Sequence, residues 1–290
     1  MSGAGPLPGG GTGLGVALGA GGARGLAHVV LLEAIDDLGL RPAAITGTSM
    51  GAVIGAAYAA GHSGRELRSH LLRVFGRRHR VMSLLLEARV GRFVTVLKGG
   101  LGNPVMVDAE MILSAFWPPG MPERIEDLAI PFAAVATDFY ARDELVLAAG
   151  GLRSAVAGSM AIPGLVRPVV REGRTLVDGA ATNPLPYDRL PAEAARIVAC
   201  DVVAGPVSGD GEGPTAFQAM FGSAQIMQSA ITARMLRQRA PDLLVRPPVS
   251  DFKVLDFFAF SRILQAAEAE RDAVKRALER LLDPPRTATP

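Results

Sequence analysis

Between Leu14 and Gly64 the chain passes twice through one cycle: an apolar run of strand length, a glycine-containing turn, and a stretch with helical spacing. Leu14 to Gly19 (LGVALG) reads as a first buried strand. Arg24 to Leu38 follows with Leu26, Val29, Val30 and Leu32 on one helical face and Glu33, Asp36 and Asp37 on the other. Gly39 stands where a helix stops. Ala43 to Thr46 is a second short strand, and Met50 to Ala60 a helix rich in glycine and alanine. Strand, turn and helix in alternation predict an α/β protein with a mainly parallel central sheet.

Later segments are less regular. Helices are expected at Ser63 to Phe75, Asp108 to Trp117, Leu152 to Met160, about Thr215 to Arg239, and Phe260 to Leu282. Strands are expected at Pro131 to Thr137, Leu145 to Ala148, near Val169, Thr175 to Val177, Arg196 to Val203 and Leu243 to Val245. No internal repeat and no sharp composition break divides the 290 residues, so one large domain is predicted over 14–283. Within it, core motifs occupy 14–200 and C-terminal helices 215–283. Residues 1–13, rich in glycine and proline with no basic start and no apolar core, read as a tail rather than a signal peptide, and 284–290 as a second tail. Pro42 to Gly64 carries no charged residue and is long enough to mimic a membrane span. Gly47, Gly51, Gly55 and Gly61, with its turn residues, favour a strand, a turn and a buried helix, and a cytoplasmic location follows as the default. A net charge of +2 argues against an obligate nucleic-acid binder. The single cysteine, Cys200, excludes an internal disulfide and reads as a buried packing residue.

Gly47-Thr48-Ser49-Met50-Gly51 fits G-x-S-x-G between a strand and a helix, the context of a nucleophile elbow. Gly47 and Gly51 suit a strained turn with close backbone approach, and Ser49 would sit at a helix start that favours developing negative charge. A serine nucleophile needs a base. The four histidines are His28, His62, His70 and His79, so the late histidine of the usual Ser, acid, His order is missing. A carboxylate must then serve. Asp178 is the best placed, at the end of Thr175-Leu176-Val177, with Asp138 and Asp201 as rivals on position alone. An aspartate base to serine requires a site dry enough to raise its pKa.

The first strand runs into Gly19-Ala20-Gly21-Gly22-Ala23-Arg24-Gly25. In either register this fails the dinucleotide pattern, and no acid ends the second strand to hold a ribose. A Walker loop lacks its Gly-Lys-Ser/Thr. What remains is a loop of bare backbone N–H groups at a helix start, which suits an anion or a tetrahedral oxyanion.

The three motifs together resemble the patatin-like phospholipases, in the bacterial branch related to neuropathy target esterase. The glycine loop resembles that family's G-G-G-x-R/K-G element, the pentapeptide its G-x-S-x-G, and Asp178-Gly179-Ala180 its D-G-A/G. Flanking stretches such as VATDF, SMAIPGLVRPV and LVDGAATNPLP are similar as well. The resemblance covers roughly 14–200. It implies a three-layer α/β/α fold and a Ser–Asp dyad of Ser49 and Asp178. It also implies an oxyanion hole from the N–H groups of Gly21, Gly22 and Met50, with Arg24 and Gly25 supporting the loop and Gly47, Gly51 and Gly179 as motif glycines. Ala20 departs from the family's first glycine, and the hole survives unless that position needs a positive φ.

The resemblance further implies a lipid, phospholipid or lysophospholipid ester as substrate, with no cofactor and no metal. From Arg65 to Lys98 nine basic residues stand against Glu66 and Glu87, interleaved with apolar ones, which suggests a peripheral contact with the inner face of a membrane or a lid. A solvated helical face explains the same pattern. Phe116-Trp117 and the cluster Phe257, Phe258 and Phe260 read as core. An alternative function is a catalytically weak lipid-binding or regulatory module. Nothing in the sequence sets an oligomeric state.

Overall fold

A computed structural model describes residues 13–76, 107–206 and 213–282. These build an eight-stranded sheet from β1 (Leu14–Leu18), β2 (Ala44–Thr48), β3 (Phe132–Asp138), β4 (Asp143–Leu147), β5 (Val169–Arg171), β6 (Arg174–Asp178), β7 (Arg196–Cys200) and β8 (Leu243–Val245). The helices are α1 (His28–Asp37), α2 (Met50–Ala59), α3 (Gly64–Gly76), α4 (Ala109–Phe116), α5 (Leu152–Ser159), α6 (Ala216–Gln238), α7 (Phe260–Glu268) and α8 (Arg271–Leu282). The hydrogen-bonded path runs β5-β6-β3-β2-β1-β7-β8, with β4 also on β3. Pairing is parallel among β3, β2, β1, β7 and β8, and antiparallel among β3, β4, β5 and β6.

Every residue of β1, β2 and β3 is buried, as strands covered on both faces must be. The two coverings differ. Alternate residues point to opposite faces of a sheet. Leu14, Val16, Leu18, Ile45, Phe132, Ala134, Val198 and Cys200 join the main core, beside residues of α1, α2, α5 and α7. The intervening Ala17 and Ala199 meet a thinner layer that contains Leu185, Tyr187 and, from the last turns of α6, Met235 and Leu236. The expected α/β/α layering is therefore present, with a thin second layer.

Strand register positions the site. Ala134 pairs with both Gly47 of β2 and Leu147 of β4, so β2 and β4 occupy opposite edges of β3. Ala136 pairs with Leu145 of β4 and Asp178 of β6, so β6 also lies opposite β4. Strands β2 and β6 thus share one edge of β3 and run toward each other. Thr48 is set against Val135 and Asp178 against Ala136, the next residue.

Three expectations are corrected. The glycine loop does not lead straight into helix: a 3-10 helix over Gly22–Ala27 intervenes before α1. The predicted helix from Phe260 to Leu282 is two, α7 and α8, parted at Ala269-Glu270. The bend lets Arg271 reach Asp37 at 2.7 Å and Glu268 at 2.9 Å. Of the aromatic cluster, Phe260 is core and Phe257 half-buried, but Phe258 is 40% exposed. Trp117 is buried and donates its indole N–H to the Val53 carbonyl. Pro42 to Gly64 resolves into the expected strand, turn and buried helix. Among the described residues no helix is long and apolar enough to cross a membrane.

Candidate active site

Ser49 is the residue between β2 and α2, with φ 56° and ψ −121°. A positive φ is costly for a side chain with a Cβ, so the surroundings must hold it. They do so at close range. A Cβ on Gly47 would stand 2.5 Å from the Gly51 carbonyl oxygen, and one on Gly51 would stand 2.1 Å from that of Leu18. The Ser49 N–H donates to Ser159 Oγ at 3.0 Å, and that hydroxyl donates to the Val135 carbonyl at 2.6 Å. Ser159, at the end of α5, is fully buried and ties the elbow to the neighbouring strand.

Across the β2–β6 junction the Ser49 hydroxyl donates to Asp178 Oδ2 at 2.7 Å. The other carboxylate oxygen accepts from the Ala180 N–H at 2.8 Å. Gly179 permits the approach, since a Cβ there would stand 2.0 Å from the Val135 carbonyl oxygen. Thr137 Oγ1 bonds the Asp178 carbonyl at 3.0 Å. Burial removes water from the carboxylate and pushes its pKa from 3.8 up to about 6, against the bonds from Ala180 and Ser49. A carboxylate raised in this way lies nearer the pKa at which it could accept a serine proton. The rivals are engaged elsewhere: Asp138 with Arg174 at 3.0 Å and the Ala141 N–H, Asp201 with Arg246 at 3.0 Å and the Val203 N–H.

The glycine loop passes beside Ser49. Its Gly19, Ala20, Ala23 and Arg24 N–H groups are taken by the carbonyls of Cys200, Pro184, Val254 and Gly21. Those of Gly21 and Gly22 have no such acceptor among the described residues, and Met50 opens α2, where a helix leaves its N–H groups free. Gly22 has φ 55°, and a Cβ on it would stand 2.2 Å from the Val254 carbonyl oxygen. Ala20 is not among the positive-φ residues, so alanine there imposes no strain. Gly25 lets the loop pack on α2, its absent Cβ replaced by Met50.

Arg24 is buried beneath this loop and donates to Gln225 Oε1 of α6 at 3.1 Å. Burial lowers its pKa to about 10, partly offset by Asp201, so it stays cationic at neutral pH. His28 is buried too. Its Nε2 lies 2.8 Å from the Gly19 carbonyl, and burial drops its pKa to about 4, so the neutral ring holds the loop and stands apart from the Ser49–Asp178 pair. Ser159, His28 and Gln225 were not assigned site roles from sequence. Ser159 lay within the SMAIPG stretch, the only signal that could have pointed to it.

Ser49 and Asp178 floor a cavity of about 440 Å³. Its walls are mainly apolar, including Ile162, Pro163, Met220, Ile231 and Leu255, with Gln225 and Gln228 as polar members. A volume of this size suits one small-molecule group. The carboxylate stands within hydrogen-bond reach of the hydroxyl, and Gly21 and Gly22 line the same cavity. Cys200, fully buried with its thiol pKa pushed up by burial, takes no part. Of the basic segment, Arg65 pairs with Asp37 and Arg68 with Glu33 and Glu268, which are bonds within the molecule. Arg73 is exposed on α3, while 77–98, including His79, lies outside the described residues.

Residues 16–191, more than half of the chain, match the patatin-like phospholipase family model. An uncharacterized NTE family protein of Mycobacterium tuberculosis is 37% identical over 171 residues, 59% of this chain and 43% of that protein. Lysophospholipase NTE1 of Mycosarcoma maydis is 32% identical over 190 residues, 65% of this chain and 9% of that protein. The chain thus spans less than half the length of these curated relatives. Among solved structures, VipD from Legionella pneumophila aligns over 91% of this chain and 67% of its own, at TM-score 0.48 and 14% identity. The chain belongs to the patatin-like phospholipase family.

Proposed function

We propose that residues 14–283 form an acyl hydrolase that cleaves a lipid ester, of the phospholipase or lysophospholipase kind, through an acyl-enzyme on Ser49. The observation that carries the reading is the 2.7 Å bond from Ser49 Oγ to a buried Asp178 at the floor of an apolar cavity. Ser49 Oγ attacks the ester carbonyl as Asp178 takes its proton. The Gly21, Gly22 and Met50 N–H groups hold the oxyanion, with the Arg24 charge beneath the loop. Collapse expels the alcohol, which receives the proton from Asp178. Water, deprotonated by Asp178, then attacks the acyl-enzyme, and the proton returns to Ser49 as the fatty acid leaves.

The apolar walls accept an acyl chain. Among the described cavity residues Asp178 alone is charged, so the cavity recognises the chain rather than a charged head group. A fluorophosphonate probe tests the proposal: the wild type labels, and Ser49→Ala does not. Ser49→Ala and Asp178→Asn each abolish cleavage of a short-chain nitrophenyl ester while keeping the native circular dichroism. Wild-type turnover in either variant removes the dyad, and an unlabelled wild type favours a lipid-binding module without catalysis.

A further inference from the structure

Helix α6 covers one wall of the cavity, yet it is short of charge and exposes apolar side chains as few surface helices do. From Ala216 to Ala233 it carries no Asp, Glu, Lys or Arg. Met220, Ile226 and Met227 are nevertheless 54%, 56% and 59% exposed. A soluble surface normally breaks up such apolar groups with charge, and a patch left whole marks a contact. Met220 and Met227 line the cavity and stand on its rim, as does Leu255, itself 39% exposed. The patch is therefore continuous with the entrance over Ser49.

The charge on the rest of the helix is of one sign. No acidic residue occurs in α6, and Arg234 and Arg237 follow the uncharged stretch. Both are exposed, and neither is ion-paired among the described residues. Residues seven apart drift by only about 20° around a helix, so Met220, Met227 and Arg234 lie along one line of the outward face. An apolar stripe that ends in unpaired arginines is the pattern of a helix lying in a lipid–water interface. The bare arginines fit anionic head groups, while the methionines enter the apolar layer.

We propose that the outward face of α6 seats the protein on an anionic lipid surface, with the cavity mouth turned toward the lipid. This rests on the lipid-ester reading above, because it gives the substrate a path from the membrane to Ser49 without crossing water. It assigns the contact to α6, a different element from the basic segment 65–98.

Vesicle co-sedimentation tests it in the Ser49→Ala background, which leaves the lipid intact and separates binding from hydrolysis. Protein is expected to pellet with vesicles of phosphatidylglycerol in phosphatidylcholine and to remain in solution with phosphatidylcholine alone. One basic residue near an anionic surface contributes roughly fivefold in partitioning, so Arg234→Gln with Arg237→Gln weakens binding by about thirtyfold. Ile226→Glu weakens it too, and in the Ser49-intact protein it leaves cleavage of a soluble nitrophenyl ester unchanged, since Ile226 is not a cavity residue. Because Cys200 is buried, Ile226→Cys gives a single labelling site. An environment-sensitive dye there shifts to the blue with anionic vesicles, whereas one at Asp127→Cys, an exposed position before β3 at the end of the strand away from Ser49, does not. Undiminished binding by the arginine and Ile226 variants overturns the assignment. So does a wild-type dimer that these variants convert to monomer without any change in vesicle binding, because a second copy would then cover the face. Absence of fluorophosphonate labelling would remove the hydrolase reading and leave the vesicle result to decide this one.

Discussion

Asp178 carries opposing demands on one side chain. Its folded-state pKa, about 6 against 3.8, means that the folded protein binds this proton more tightly than the unfolded chain does. The stability contributed by that proton is complete below pH 3.8 and is lost as pH rises through about 6. At neutral pH the ionised carboxylate is therefore a burden on the fold. Asp178→Asn removes it: the variant should melt higher than wild type above pH 7, by up to roughly 3 kcal/mol, with the difference vanishing near pH 4. Catalysis runs the other way, since a general base must be ionised. The kcat/KM of the wild type should fall with one proton below a pH of about 6. Ser159 is a positioning residue of a different kind. Ser159→Ala leaves the Ser49 N–H buried without an acceptor and frees a strained φ to relax. The expected loss is about 1–3 kcal/mol in a urea melt and a ten- to hundredfold drop of about that order in kcat, with KM little changed. A purely structural role for Ser159 would lower stability and leave kcat per folded molecule intact.

Among the elements, the turn at Gly47–Gly51 shows how contact overrides propensity. In an exposed helix Gly→Ala stabilises by about 1 kcal/mol. Gly51 belongs to α2, but its missing Cβ is replaced by the Leu18 carbonyl oxygen at 2.1 Å. Gly51→Ala should instead destabilise, by several kcal/mol or about as much as an overpacked core residue, in a thermal melt. The glycines of the elbow, the parallel centre of the sheet and the three motifs were all legible in the sequence, because each depends on local spacing. Boundaries of β1, β2, β3 and α2 fell within two residues of expectation. What escaped has a physical cause in each case. The break at Ala269-Glu270 carries no glycine or proline, and it is set by ion pairs with α1 that are remote in sequence. Ser159 and His28 act through one or two hydrogen bonds to main-chain groups, which leave no pattern. The exposure of α6 depends on what fails to cover it. Its alanine-, methionine- and isoleucine-rich sequence reads like that of any buried helix.

In the whole molecule, the main core is sealed on one side by an ionic cluster. Glu33, 2% exposed, accepts two bonds from Arg68 at 2.7 and 2.5 Å, and Arg271 lies 3.5 Å away. Arg271 also reaches Asp37 and Glu268, so it fastens α8 to α1 and α7. Arg271→Ala should loosen α8 first, read as faster amide exchange in residues 271–282 than in β1 or β2, with an overall loss of about 3 kcal/mol as Glu33 loses one of its two cations. The meeting of β2 and β6 along one edge of β3 has a consequence in time rather than in space. Ser49 and Asp178 are 129 residues apart in the chain. Such distant pairings form late, because the entropy of closing the loop comes before any reward. A ribosome-bound chain holds the serine long before it holds the aspartate. The proposed lipase is thus inert until the strand that carries Asp178 has been made and has paired, and on refolding its capacity to react with a fluorophosphonate should return after the helical signal.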